Sequence, residues 1–261
     1  MAREPIERLY EGERLVEALR EARARTLAIY SHLDWAALEV PCMPIVNLPR
    51  WELAHIAWFQ EYWCLRYSRQ AGGPVRDAIE PRADALFDSA RVAHASRWHL
   101  EYPTERALRG YIDASHEATL EALAHGRGER YFFELALLHE DMHGEALLMT
   151  LQTLALPPPP IDGLLPTPVS GKARDVSLEG GKFLMGAGTS SARFVFDNEK
   201  WAHAVHLRPF AISDSPTTQG EFAAFVDDGG YGRREYWTDE GWTWRQREGR
   251  IAPRHWRREA G

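Results

Sequence analysis

Residues 129–160 read ERYFFELALLHEDMHGEALLMTLQTLALPPPP, and the way this stretch is built and stopped decides the fold. Its spacing predicts a helix from about Glu129 to Leu156, ended by Pro157–Pro160, which cannot continue one. Within it, His139 and His143 lie four residues apart, so they stand one above the other on a single face. That face also carries Leu135 and Leu147 and is expected to point inward. Two imidazoles facing a core at this spacing form half of a metal site, because neutral imidazole binds divalent iron, zinc or copper well. The competing reading is a pair of histidines satisfied by ordinary hydrogen bonds.

Upstream, three further helices are expected. The first runs from Ile6 to about Tyr30, with Leu9, Val16, Leu19, Leu27 and Tyr30 on one face. The second begins at Pro49, where a missing N–H costs nothing in a first turn, and runs to about Arg69. Gly72-Gly73-Pro74 ends it, and a long excursion follows with a short helix around Ala83 to His94. Thr104 caps a third helix carrying Leu108, Ile112, Leu120 and Leu123, closed by Gly126 and Gly128. Four helices of this length make an N-terminal four-helix bundle over residues 1–156, followed by a Pro-rich linker over 157–173.

Beyond the linker the period changes. Val176, Leu178, Phe183 and Met185 alternate across Gly180-Gly181 as a β-hairpin would, and one helix is expected around Gln219 to Asp227. Residues 174–261 are therefore read as an irregular α+β region, so the fold class is α plus α+β.

A bundle metal site needs a ligand from a facing helix, and the second helix offers His55 in Trp51-Glu52-Leu53-Ala54-His55-Ile56-Ala57-Trp58-Phe59. His32, His94, His99, His116 and His125 fall in loops or on mixed faces. His203 and His206 sit three apart on an expected strand and so point to opposite faces. The same helix also matches His-Glu-x-x-His, in which Glu140 would serve as the general base of a zinc protease. The third ligand, however, lies upstream, and a bundle followed by a β-rich region is not that arrangement.

The formal charge of −7, with 44% hydrophobic and 26% charged residues, describes a globular protein without the clustered basic surface that nucleic acid requires. Arg245 to Arg258 is the local exception, read as a solvated or partner-facing surface. No stretch reaches the length of a membrane span and the N-terminus carries charges of both signs, so the expected location is cytoplasmic. Cys42 and Cys64 lack CxxC spacing and are expected to be small buried hydrophobes.

The chain resembles the ergothioneine-biosynthesis sulfoxide synthases (the EgtB family), and within them the selenoneine-synthase (SenA) branch. The resemblance rests on Trp51-Glu52-Leu53-Ala54-His55 and on His139-x-x-x-His143-x-Glu145. It extends through Gly180-Gly181-Lys182-Phe183-Leu184-Met185-Gly186, Phe196-Asp197-Asn198-Glu199, Gly220-Glu221-Phe222 and Asp228-Gly229-Gly230-Tyr231. It implies a DinB-like bundle followed by a formylglycine-generating-enzyme (FGE-sulfatase, C-type-lectin-like) domain. It further implies that His55, His139 and His143 hold ferrous iron, Fe(2+), with Glu145 in a supporting position. The implied partners are hercynine, a thiol or selenol donor and O2, and the implied reaction forms a C–S or C–Se bond at imidazole C2. Met142 stands where the family commonly has an amide touching the betaine substrate. Arg91 and Arg97, in a stretch that looks like the selenoneine branch, are candidate contacts for the donor.

The family's catalytic tyrosine lies beyond Gly261, so by resemblance the chain is a fragment, and the 261 residues alone are expected to be inactive or badly impaired. Two other functions stay open: a bundle using zinc or another divalent metal for thiol transfer, and a non-catalytic metal-binding fragment.

Overall fold

Four long helices form the N-terminal unit: α1 (Glu13–Tyr30), α2 (Pro49–Glu61), α4 (Glu105–Ala124) and α5 (Arg130–Thr153), with short α3 (Ala83–Phe87) between α2 and α4. The structure is a computed structural model that describes residues 12–161, 173–189 and 194–259. The start of the first expected helix, before residue 12, and 162–172 of the expected linker lie outside the described residues. Thr104 caps α4 as its sequence suggests, its Oγ1 accepting from the Ala107 amide at 3.3 Å. Pro49 opens α2.

In this bundle α1 packs on α4 and α5, and α2 packs on α4 and α5. Trp51, Phe133, Leu147, Leu15 and Leu19 are fully buried. Each apolar side chain so enclosed contributes about 1.5–3 kcal/mol relative to exposure. α2 is buried around almost its whole circumference from Trp51 to Trp58, which makes it the central helix.

Three expectations change here. The second helix does not continue to Arg69: after Glu61 it winds into one π turn, Tyr62–Arg66, and leaves as strand β1 (Tyr67–Ser68), paired antiparallel with β2 (Gly73–Pro74). The short helix expected from Ala83 to His94 is present but ends at Phe87, as α3, and a 3-10 turn follows at His94–His99. Cys64 is buried, and burial pushes its thiol pKa up, but Cys42 is exposed.

The second unit contains β3 (Asp175–Leu178), β4 (Gly181–Met185), β5 (His203–Leu207), β6 (Phe210–Ser213), α6 (Gln219–Asp227) and α7 (Asp239–Glu248). The expected helix at Gln219 is present, and α7 has no counterpart in the sequence reading. β3 and β4 do not pair with each other as a hairpin. β3 pairs with β6 and β4 with β5, in one common antiparallel register from Asp175↔Ser213 to Met185↔His203. The two ladders are one long ribbon interrupted where Gly180 crosses Arg208-Pro209. Pro209 has no N–H to offer, and Gly180 has φ +75° with a would-be Cβ 2.6 Å from the Leu207 carbonyl oxygen.

Ala187–Lys200 groups with the helical unit. There Phe194 stacks on Tyr131 at 5.0 Å and the Lys200 ammonium lies over the same ring. No helix among the described residues is long and apolar enough to cross a membrane.

Candidate metal centre

α2 and α5 cross so that His55 meets His139 and His143, their ligand nitrogens all lying within 4.8 Å of one another. Ring centroids are separated by 5.1 Å (His55–His139), 5.0 Å (His55–His143) and 4.5 Å (His139–His143). The first two rings are buried and the third is half-buried.

Each ring is held from behind. His55 donates its Nδ1–H to the Phe87 carbonyl at 2.8 Å, which leaves Nε2 with a free lone pair. His143 donates Nδ1–H to Glu52 Oε1 at 2.7 Å. His139 stacks face to face on Phe59 at 3.6 Å, and its Nδ1 has no hydrogen-bond partner among the described residues. Burial, followed by the neighbouring His143, pushes the His55 pKa down to about 3, and the same two causes hold His139 well below its ordinary value. Both are therefore neutral at physiological pH, the form that binds metal.

α3 serves as the template for α2. Trp51 Nε1–H donates to the Leu86 carbonyl at 2.7 Å, His55 to Phe87, and Trp58 Nε1–H to Asp84 Oδ1 at 2.8 Å. Asp84 is itself gripped by both terminal nitrogens of Arg66 at 2.8 Å, which keeps its carboxyl below the usual carboxylate range. Trp51 stacks on His55 at 4.8 Å with rings 8° from parallel, and the Arg97 guanidinium lies 3.6 Å above the Trp51 ring.

The sequence-derived site residues divide accordingly. The three histidines converge. Arg97 reaches the neighbourhood as a buried support for Trp51, bonded to Asn47 Oδ1 and the Val92 carbonyl, so it is not an open cation awaiting a donor. Arg91 is exposed and paired with Asp88. Met142 is 51% exposed beside the histidines on α5. Glu145 is exposed, and residues two apart on a helix point away from each other, so it does not back His143. That position belongs to Glu52, fully buried on α2, whose role the sequence reading missed; an acidic residue at the head of an apolar run was the only local sign.

Glu140 is not turned toward the histidines either. It accepts from Arg23 Nε at 2.7 Å, and Arg23 also donates to the Ile112 carbonyl and to Gln60, so the pair ties all four long helices together. This removes the general base that a zinc-protease reading requires.

The donor set fits a divalent cation. Glu52 is completely buried, one oxygen meets the His143 imidazole and a weak Asn47 amide contact, and the other has no partner among the described residues. The Arg97 guanidinium, bonded to Asn47 and Val92, is the charge that faces it. A buried carboxylate with an unpartnered oxygen is costly, and a metal on the three rings would add positive charge beside it.

Fold and centre define a helical metal-site unit joined to a second domain whose class is known: the family model for a sulfatase-modifying factor enzyme 1-like domain matches residues 164–259. Over 94% of its length the chain is 34% identical to the protein named hercynine oxygenase from Mycolicibacterium smegmatis and equally to that of Mycobacterium tuberculosis. The hercynine oxygenase of Mycolicibacterium thermoresistibile is 34% identical over 93% of the chain. The chain is a homologue of these hercynine oxygenases, in keeping with its resemblance to the ergothioneine-synthase family. It spans 57%, 58% and 54% of their respective lengths.

Proposed function

We propose that this chain is the metal-binding part of a non-haem Fe(II), O2-dependent synthase that joins sulfur or selenium to C2 of the imidazole of hercynine. The observation that carries the reading is the convergence of three histidines, two of them buried and neutral, in a relative of proteins named hercynine oxygenase. Bound iron would supply electrons to O2 and a coordination position for a thiol or selenol donor.

The chain's own residues do the rest. His55 and His139 present neutral nitrogens, so neither has a proton to displace when the metal enters, and His143 completes the set. Phe87 and Glu52 fix the orientation of two of the rings through their Nδ1–H groups, which also makes the opposite nitrogens better donors. Trp51, Trp58 and Phe59 wall the centre with apolar surface and keep water from its buried side. Met142, exposed next to His143, is placed to meet a substrate on the open side, and Arg91 is an available surface cation for the donor. Glu145 keeps no assigned role.

Three neutral imidazoles would also suit zinc, and that is the observation behind the second reading, a redox-inert thiol-transfer bundle. The test is to prepare the protein without oxygen, add Fe(II), and measure metal stoichiometry and hercynine binding for the wild type and for His55→Ala, His139→Ala and His143→Ala. One iron per chain, lost in all three variants, with hercynine binding that requires the metal, is the expected result. Tight zinc binding indifferent to His55 and no response to hercynine would reverse the choice.

A further inference from the structure

We propose that Trp58, Tyr62, Trp63 and Tyr67 form an electron-transfer chain that drains stray oxidising equivalents from the three-histidine centre to the protein surface. The proposal rests on the iron and O2 reading above. Four aromatic residues of the readily oxidised types follow one another outward from a ligand ring. The Trp58 centroid lies 5.7 Å from His55, Tyr62 5.3 Å from Trp58, Trp63 5.1 Å from Tyr62, and Tyr67 4.6 Å from Trp63. Rings at these separations are in or near contact, so each transfer crosses a minimal gap. The order also runs from inside to outside: His55 and Trp58 are buried, whereas Tyr62, Trp63 and Tyr67 are half-buried.

Packing alone would be satisfied by phenylalanine and leucine at these positions; two further features point to redox use. The first is a proton acceptor. Trp58 Nε1–H already donates to Asp84, so an oxidised indole can shift its acidified proton to that carboxylate and recover it on reduction. The second is the π turn Tyr62–Arg66, an irregularity frequent at functional sites. Sequence neighbours on a regular helix point about 100° apart, yet the rings of Tyr62 and Trp63 meet edge to face within this turn. Phe59 touches both His139 and Trp63 but is hard to oxidise, so it shields the centre without carrying the charge.

The balance is as follows. A one-electron oxidant derived from O2, left when no substrate is in place, takes one electron from Trp58, whose proton passes to Asp84. An electron from Tyr62 restores Trp58, which takes its proton back from Asp84, while half-buried Tyr62 gives its phenolic proton to solvent and regains one as the deficit moves through Trp63 to Tyr67, which in turn releases its phenolic proton to solvent. An external thiol then returns a proton and an electron to Tyr67, and two such sulfur radicals pair as a disulfide. The metal ligands are spared, and Trp51, nearer to His55 at 4.8 Å, lies under the Arg97 guanidinium, whose positive charge disfavours its oxidation.

The experiment uses the full chain loaded with Fe(II) and exposed to O2 without hercynine, with and without dithiothreitol. Iron stoichiometry and O2 uptake are measured first, then radicals by freeze-quench paramagnetic resonance and oxygen adducts by peptide mass spectrometry. In the wild type, an aromatic radical and adducts on Trp63 and Tyr67 are expected, both suppressed by dithiothreitol. In Trp63→Phe, and in Trp58→Phe as a second variant, the adducts move to His55 and His139 and iron binding is lost after shorter exposure. Adducts on the histidines in the wild type, unaltered by either variant while O2 uptake proceeds, would overturn the chain but leave the iron reading standing. No iron or no O2 uptake would overturn that reading and this proposal with it. A metal-free control oxidised from outside by photogenerated ruthenium(III) tris-bipyridine tests the rings themselves: a radical on Trp63 or Tyr67 supports the route, and a radical confined to other residues counts against it.

Discussion

Glu52 holds the position that decides how His143 binds. Its Oε1 takes the Nδ1 proton at 2.7 Å across 91 residues of sequence, fixing the ring's tautomer from a fully buried site. Replacing such a carboxylate partner typically weakens metal affinity about 10–100-fold. Glu52→Gln keeps the shape and removes the charge, and a loss of that size is expected in a chelator competition with Fe(II) or zinc; unchanged affinity would show that His143 is positioned by other means. The pairing of His139 with His143 was legible, because a four-residue spacing is a local property of one helix; that His55 meets them is a matter of how α2 crosses α5. Glu52 was not, since nothing local reveals which helix a carboxylate faces. Glu145, close to His143 in sequence, drew the assignment although its place on the helix turns it to solvent.

Among the elements, α5 is buried on two sides, with the histidines on one and Glu140 on the other. The Arg23–Glu140 pair carries the cost of two desolvated charges, so removing one partner does more harm than removing both. Glu140→Ala is expected to lower unfolding free energy by about 3–5 kcal/mol in urea titrations, while Arg23→Met combined with Glu140→Leu loses much less. A small effect of Glu140→Ala would mean that the pair is not buried as described. Helix starts were readable from Thr104 and Pro49, and the end of α5 from the Pro157 stop, since these act on their own neighbours, but the end of α2 at Glu61 was not. Strand pairing was not: Gly180-Gly181 has the composition of a hairpin turn, but the partners of β3 and β4 lie far along the chain, and only the meeting of Gly180 with Arg208-Pro209 shows why.

For the bundle as a whole, its buried imidazoles make acidity a threat before metal is bound. Burial is the chief cause that pushes His55 down to about 3 and His116 down to about 4, against an ordinary value of 6.5. Between those limits only the unfolded chain takes up the protons. Stability is thus complete above pH 6.5 and is lost as pH falls toward 4 and then 3. The urea midpoint of the metal-free protein should be level above pH 6.5 and fall steadily below it, and His116→Gln should make the fall shallower. A midpoint indifferent to pH across that window would place these rings in water.

The π turn at Tyr62–Arg66 has one further consequence, concerning length rather than chemistry. A π turn is an α-helix holding one residue more than its winding requires. Deleting a single residue there would let the helix close up normally without disturbing His55, one full turn and more upstream. What lies beyond would keep nearly its present direction, because the residue removed is the surplus one, whereas the same deletion in a regular turn would wheel Tyr67 and the β1–β2 hairpin by about 100°. In this stretch the chain can lose a residue and keep its course, and what it gives up is the meeting of Tyr62 with Trp63 inside the turn.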